Sequence, residues 1–319
     1  MAKADPIDRR LADLTALAKS SEPEQLIEAL RRALTDKNNL IIARAALIAG
    51  EKNLAQLVPD LAASFHRLMD KEDKGCTGST AIIKALYEIG AAEEAVFIQG
   101  VQHVQMEATW GGKSDVAAEL RGWSAMGLVR MASRRATEMI VPLLVDPEFQ
   151  ARVMGIRAAA YSGKDELMWL LRLKALMGDR EIDATAECLS GLMRGWPRQC
   201  AEFVGSFIDR SDDLRQGALA ALSESRSREA FAVLKNAFDE RLDPNFRREI
   251  MEAMANLRRE EAMDFLIGII REGSAGTARD AIHALKAYRA DQAIAARVKE
   301  AAAGHENLTI GDAVREIFG

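Results

Sequence analysis

The sequence predicts an all-α fold: a solenoid of about nine antiparallel helical hairpins with a short capping helix at the C-terminal end. Three observations carry the prediction. Ala, Leu, Met, Glu and Arg dominate segments of period 3.6, whereas Val, Ile and Thr rarely alternate with polar residues, so nearly all of the chain is expected to be helix. A small-then-large doublet recurs along the chain at a nearly constant interval. No Pro/Gly/Ser-rich linker divides the 319 residues, although a compact chain of that length usually splits, so a single elongated domain over 1–319 is expected.

The doublets are Ala16/Leu17, Ala46/Leu47, Ala85/Leu86, Gly127/Leu128, Ala159/Ala160, Gly191/Leu192, Ala221/Leu222, Ala253/Met254 and Ala284/Leu285, at steps of 30, 39, 42, 32, 32, 30, 32 and 31 residues. Each marks the first helix of a hairpin, where a small residue lets neighbouring helices approach and the next side chain fills the core. A tight turn and a second helix follow, as in "ATEMIVPLLVD" and "REAFAVLKNAFDE". Asp5-Pro6, Asp146-Pro147 and Asp243-Pro244 each place a capping acid before a proline suited to the first helical position. Residues 308 to 318, "LTIGDAVREIF", are expected to cover the last apolar face.

The tetratricopeptide and ankyrin signatures are absent. Lines such as "LRGWSAMGLVRMASRRATEMIVPLLVDPEFQARVMGIRAAA" and "DDLRQGALAALSESRSREAFAVLKNAF" instead make the chain resemble HEAT-repeat proteins of the short, PBS-lyase type, over about residues 5 to 303. That family often places an Asp six residues before an Arg, as Asp146/Arg152 and Asp209/Arg215 do here, whereas Asp179 has Thr185 at the matching place. The resemblance implies an Asp/Arg ladder between repeats and supports a fold, not an activity. Arg134/Arg135, Arg247/Arg248 and Arg258/Arg259 are expected to be solvated unless several line one groove.

Composition narrows the partners. A net charge of -5 makes nucleic acid a poor default, and no apolar run approaches a membrane span or a signal peptide, so a cytoplasmic location without membrane contact is expected. Cys76, Cys188 and Cys200 form no zinc or disulfide pattern and are expected to be buried. No cofactor, metal or catalytic set is predicted.

The two long steps carry about eight and ten surplus residues, in "LMDKEDKGCTGST" (68–80) and "VQMEATWGGKSD" (104–115), and flank the third hairpin. In a solenoid such connectors leave from one edge, so the two should be neighbours. The candidate binding residues are His66, Cys76, Thr77 and Ser79 on the first, and His103, Gln105, Glu107, Trp110, Asp115 and Arg121 on or after the second. His66/Asp70 and His103/Glu107 are i,i+4 pairs that either stabilise helix ends locally or, together, hold a divalent metal. "GCTGST" offers backbone N–H groups suited to an anion, or ordinary capping by Thr77, Ser79 or Thr80. Cys76 would need His66 or His103 as a base to act as a nucleophile. Trp110-Gly111-Gly112 is either a lid over the gap between hairpins three and four, shared with Trp123, or a contact point for a ligand or partner.

The expected function is a binding or scaffold role, with second helices forming a concave surface for a protein or peptide and the 66–80 and 103–123 edge as its specialised patch. A small-molecule or metal-dependent enzyme at His66/Cys76/His103/Glu107 is one alternative. Deoxyhypusine hydroxylases, which are HEAT-like, use His-Glu dyads on several helices for two irons, and this chain has only four histidines. A nucleic-acid-binding protein with an Arg-lined groove is the other alternative.

Overall fold

The computed structural model describes residues 6–20, 22–71, 73–305 and 308–319. Two compact units, Met1–Leu167 and Met168–Gly319, divide the chain. The first contains α1 (Pro6–Ser20), α2 (Pro23–Leu34), α3 (Asn39–Glu51), α4 (Val58–Met69), α5 (Thr77–Ile89), α6 (Glu94–Gln102), α7 (Ala118–Arg130), α8 (Ala136–Leu143) and α9 (Phe149–Ser162). Then α10 (Asp165–Met177) runs into the second unit, which continues with α11 (Ile182–Gly195), α12 (Pro197–Gly205), α13 (Asp212–Glu224), α14 (Arg228–Glu240), α15 (Pro244–Asn256) and α16 (Glu260–Glu272). It ends with α17 (Ala275–Ala284), α18 (Gln292–Ala302) and α19 (Leu308–Phe318), the expected terminal helix. The chain is an all-α solenoid of helical hairpins, and the doublets fall in the odd-numbered helices from α1 to α17 or at their ends.

The doublets explain the packing in most of the chain. From Ala85/Leu86 to Ala284/Leu285 both members are buried. At Gly127 any side chain would collide with the Phe97 ring of α6, so the small residue is a requirement of close approach. The first two doublets depart from the pattern: Ala16 and Leu47 are exposed, and in α3 the core is filled by Ala45, Ala46, Ile48 and Ala49.

Helix ends are closed by side chains where short polar residues permit. Asp243 accepts the Phe246 N–H at 2.8 Å with Pro244 at the first position, and Ser227 accepts the Ala230 N–H at 3.0 Å. Asp146 does not cap as expected: α9 starts later, after Glu148, and Asp146 serves a different purpose described below. Asp5 lies outside the described residues. Of the two Asp/Arg pairs the spacing implies, Asp146 and Arg152 meet through the Asp146 backbone carbonyl, and Asp209 and Arg215 take other partners. Asp209 pairs with Arg241, Arg215 with Glu249 (2.9 Å) and Asp212 (2.7 Å), and Arg152 donates to the backbone carbonyls of Asp146 and Pro147.

One element departs from helix among the described residues. Between α6 and α7 the chain forms an antiparallel hairpin, β1 (Met106–Thr109) and β2 (Gly112–Asp115), with Met106 opposite Asp115 and Thr109 opposite Gly112.

Candidate functional site

The two surplus connectors meet. After α4 the chain turns through Asp73, Lys74, Gly75 and Cys76 into α5, and the β-hairpin that follows α6 lies against that turn. The Gln105 side chain donates to the Asp73 carbonyl at 2.8 Å, and the Gly75 N–H donates to Glu107 Oε1 at 2.6 Å. Gln105 also donates to Glu107 Oε1 at 2.7 Å, which fixes that carboxylate between the two segments.

The N-terminus of α5 holds an anion, and the anion is the chain's own. Buried Asp73 accepts the N–H groups of Gly78 (3.2 Å) and Ser79 (2.8 Å) and the Ser79 hydroxyl (2.7 Å), and Asn39 of α3 donates to it at 2.8 Å. A carboxylate there satisfies orphan helix donors and complements the positive end of the helix dipole. Capping therefore comes from Asp73 rather than from Thr77, Ser79 or Thr80. Thr77 instead donates its hydroxyl to the Lys74 carbonyl at 3.1 Å. Sequence reasoning passed over Asp73, although an acid ahead of "GCTGST" was the available signal.

The base of the hairpin is tied to α7 by a buried cation. Asp115 Oδ1 accepts the N–H groups of Gln105 (3.1 Å) and Ala117 (3.0 Å), and its Oδ2 accepts from Arg121 at 2.6 Å. Arg121 also grips Asp146 with two parallel bonds of 2.9 and 3.0 Å and donates to the His103 carbonyl at 3.0 Å. Asp146 is thus recruited to join the hairpin base to the α8–α9 turn. Burial alone pushes the Asp115 carboxyl up, but the Ala117 and Gln105 N–H groups and the Arg121 guanidinium outweigh it and hold the carboxyl below its ordinary range. For Arg121 burial works against the charge, and the hydrogen bonds to Asp146 and Asp115 reverse the balance and raise its pKa.

These partners decide what each candidate can do. Cys76 is fully buried with a left-handed backbone, and burial, followed by the fields of Asp73, Glu107 and Asp115, pushes its thiol up to about 12. A thiol held protonated and covered has no nucleophile chemistry at neutral pH. His66 is exposed and its Nδ1 lies 3.0 Å from Gln99 Oε1. His103 and Glu107 do not share a helix face: His103 ends α6 in an extended conformation, 3.3 Å from Gln105 Oε1, and Glu107 sits on β1. The pairing that would have held a metal is therefore not made, and no cluster of three or more His, Cys, Asp or Glu side chains suited to a metal occurs among the described residues.

Trp110 differs from all of these. It occupies the hairpin tip and is 108% exposed relative to the reference state, while Gly111 beside it has φ +102°, open to glycine and strained for other residues. It is no lid. Trp123, its expected companion, packs edge-on against Tyr87 at 5.3 Å with Lys84 over its ring. Val104 and Met106, at the foot of the hairpin, are also exposed.

In the second unit the clefts open between first helices. One of about 580 Å³ is lined by residues of α13 and α15 and the turns that follow them, including Arg226 and Arg258 together with Glu224, Glu249 and Glu252. A neighbouring cleft of about 590 Å³ shares Glu252 and adds Arg248, Arg279, Asp280 and Asp312. Arginines do line one groove, yet carboxylates alternate with them, unlike the one-signed stripe that binds nucleic acid.

The comparisons with known proteins follow the architecture. Residues 202–286 match HEAT repeats. Among solved structures the chain is similar to human deoxyhypusine hydroxylase in complex with glycerol, at 17% identity over 83% of this chain and 98% of that one, with a TM-score of 0.35. It is also similar to the complex of CpcE and CpcF of phycocyanin lyase from Nostoc sp. PCC7120, at 13% identity over 93% and 97% of the two chains, with a TM-score of 0.36. Neither likeness carries an activity to this chain. No curated protein matches its sequence. No described helix is long and apolar enough to cross a membrane.

Proposed function

We propose that the chain is a partner-binding repeat protein and that the hairpin between α6 and α7 is its point of engagement with a protein or peptide. The observation that carries this is the contrast within one short segment. Trp110 stands wholly in solvent, while the hairpin base beneath it is tied to three other segments through Gln105, Glu107, Asp115 and Arg121. A tryptophan is the side chain most often found to dominate a protein interface, and holding it on a rigid frame removes most of the ordering cost of binding. Val104 and Met106 extend the apolar surface at the foot of the hairpin.

Of the residues singled out in the sequence, Trp110 is the contact in this proposal, and Gln105, Glu107, Asp115 and Arg121 position it. Cys76, Thr77 and Ser79 belong to the turn that supports them. Capture from native extract on the wild-type chain, side by side with Trp110→Ala, tests the proposal. Proteins enriched on the wild type and lost from the variant are expected; an identical set on both would contradict it.

A further inference from the structure

Among the second helices of its unit, α10 alone is apolar on two sides. Leu167, Met168, Leu171 and Ala175 are buried, while Trp169, Leu173, Leu176 and Met177, at positions i, i+4, i+7 and i+8, form a stripe on the opposite side, 53 to 77% exposed. A helix apolar all round belongs in an interior. In α14 and α16 of the same unit the apolar residues face inward and no large apolar side chain is strongly exposed. The outer face of α10 therefore calls for a cover that the other helices do not.

We infer that a second copy of this chain supplies it, through antiparallel packing of α10 on α10 about a twofold axis at Leu173. Charge and shape along the helix argue for self-pairing. With Leu173 on the axis, Trp169 lies opposite the partner's Met177, a favourable aromatic–sulfur pair, and Leu173 meets the partner's Leu173. Exposed Glu166 at the acidic start of the helix comes opposite the partner's Arg180, just past its end, whose exposed ion pair with Glu181 (3.1 Å) would be exchanged for one across the axis, and the helix dipoles run antiparallel. Of the remaining cations, Arg172 lies over the rings of Trp169 (4.8 Å) and Phe203 (4.4 Å), covering one face of Trp169 at the rim of the contact, and Lys174 is bonded to Asp179 at 2.8 Å. The stripe exposes on the order of 500 Å² of apolar surface, enough for the dry centre of an interface of about 800 Å² a side. This inference is independent of the hairpin and its partner.

Sedimentation equilibrium of the full chain across the micromolar range is the test, with Leu173→Glu and, as a control at a more open apolar site of the same unit, Leu242→Glu. Wild type and Leu242→Glu should show twice the 35.0 kDa chain mass, and Leu173→Glu should be monomeric with an unchanged helical circular-dichroism signal. A residue on a twofold axis meets itself, so Leu173→Cys should oxidise to a covalent dimer and Leu242→Cys should not; the three native cysteines are buried and do not interfere. A wild-type chain that stays monomeric, or a dimer that survives Leu173→Glu, overturns the inference.

Discussion

The repeats of α13 to α16 and the edge from α4 to α7 are built from the same hairpin, yet their junctions are held differently. In α13 to α16 the connections are short, single side chains such as Ser227 and Asp243 cap the helices, and the ion pair between Arg215 and Glu249 is only partly buried, with side chains 20% and 38% exposed. At the α4–α7 edge the surplus chain is folded onto itself by charges taken out of water, with Arg121 and Asp115 both nearly fully buried. Exposed pairs contribute little because water and salt screen them, while a buried pair holds its geometry firmly because losing one partner strands the other. The difference teaches that the edge is held in one shape where the repeats need only packing.

The largest effect expected from that contrast is on stability. Arg121→Ala leaves Asp115 and Asp146 buried without their cation and should cost about 3–5 kcal/mol, while Arg215→Ala should cost about 0–1 kcal/mol. Urea midpoints of the two variants measure it, and equal losses would break the comparison. The same carboxylate sets a pH dependence. Because the folded pKa of Asp115 is depressed, its contribution is complete above the unfolded value of about 4 and is lost as pH falls through the folded value. Acid should therefore loosen the hairpin base before it loosens α13–α16, and Asp115→Asn should remove that order.

Backbone effects come next, with opposite signs in the two regions. Gly111→Ala places a side chain at φ +102° and should destabilise by about 1–2 kcal/mol. Gly268→Ala, inside α16 with open space around the new methyl, should stabilise by about 0.5–1 kcal/mol. Thermal denaturation of the pair reads both signs. The thiol of the edge should be as closed as those of α11 and α12: Cys76, Cys188 and Cys200 are all buried, with pKa values pushed up to about 12, 12 and 11, so Ellman's reagent should label none of them at neutral pH without denaturant. Labelling of Cys76 alone would mean that the edge opens. Trp110→Ala should change stability least, within about 0.5 kcal/mol, because its side chain touches solvent on every side.

The repeat architecture was legible because burial repeats with it: one small residue per first helix is enough to register the hairpins, and Asp243-Pro244 marks a helix start as written. The meeting of the two connectors was legible for the same topological reason. The hairpin was not, because "MEAT" and "GKSD" are short, mostly exposed and free of the apolar alternation that announces a strand, leaving only the glycine pair as a turn signal. Arg121 was picked out, yet its role depends on Asp115 and Asp146, six and twenty-five residues away, which no spacing rule links. Asp73 was missed since the hydroxyls following it are the usual caps.

Amide exchange across residues 73–117 tests the central claim most directly, that a rigid base carries an exposed tip. The N–H groups of Gly75, Gly78, Ser79, Gln105 and Ala117, each bonded to a carboxylate of the edge, should exchange as slowly as those inside α5 and α7, while Trp110 and Gly111 exchange fast. Uniformly fast exchange from Gly75 through Ala117 would contradict it.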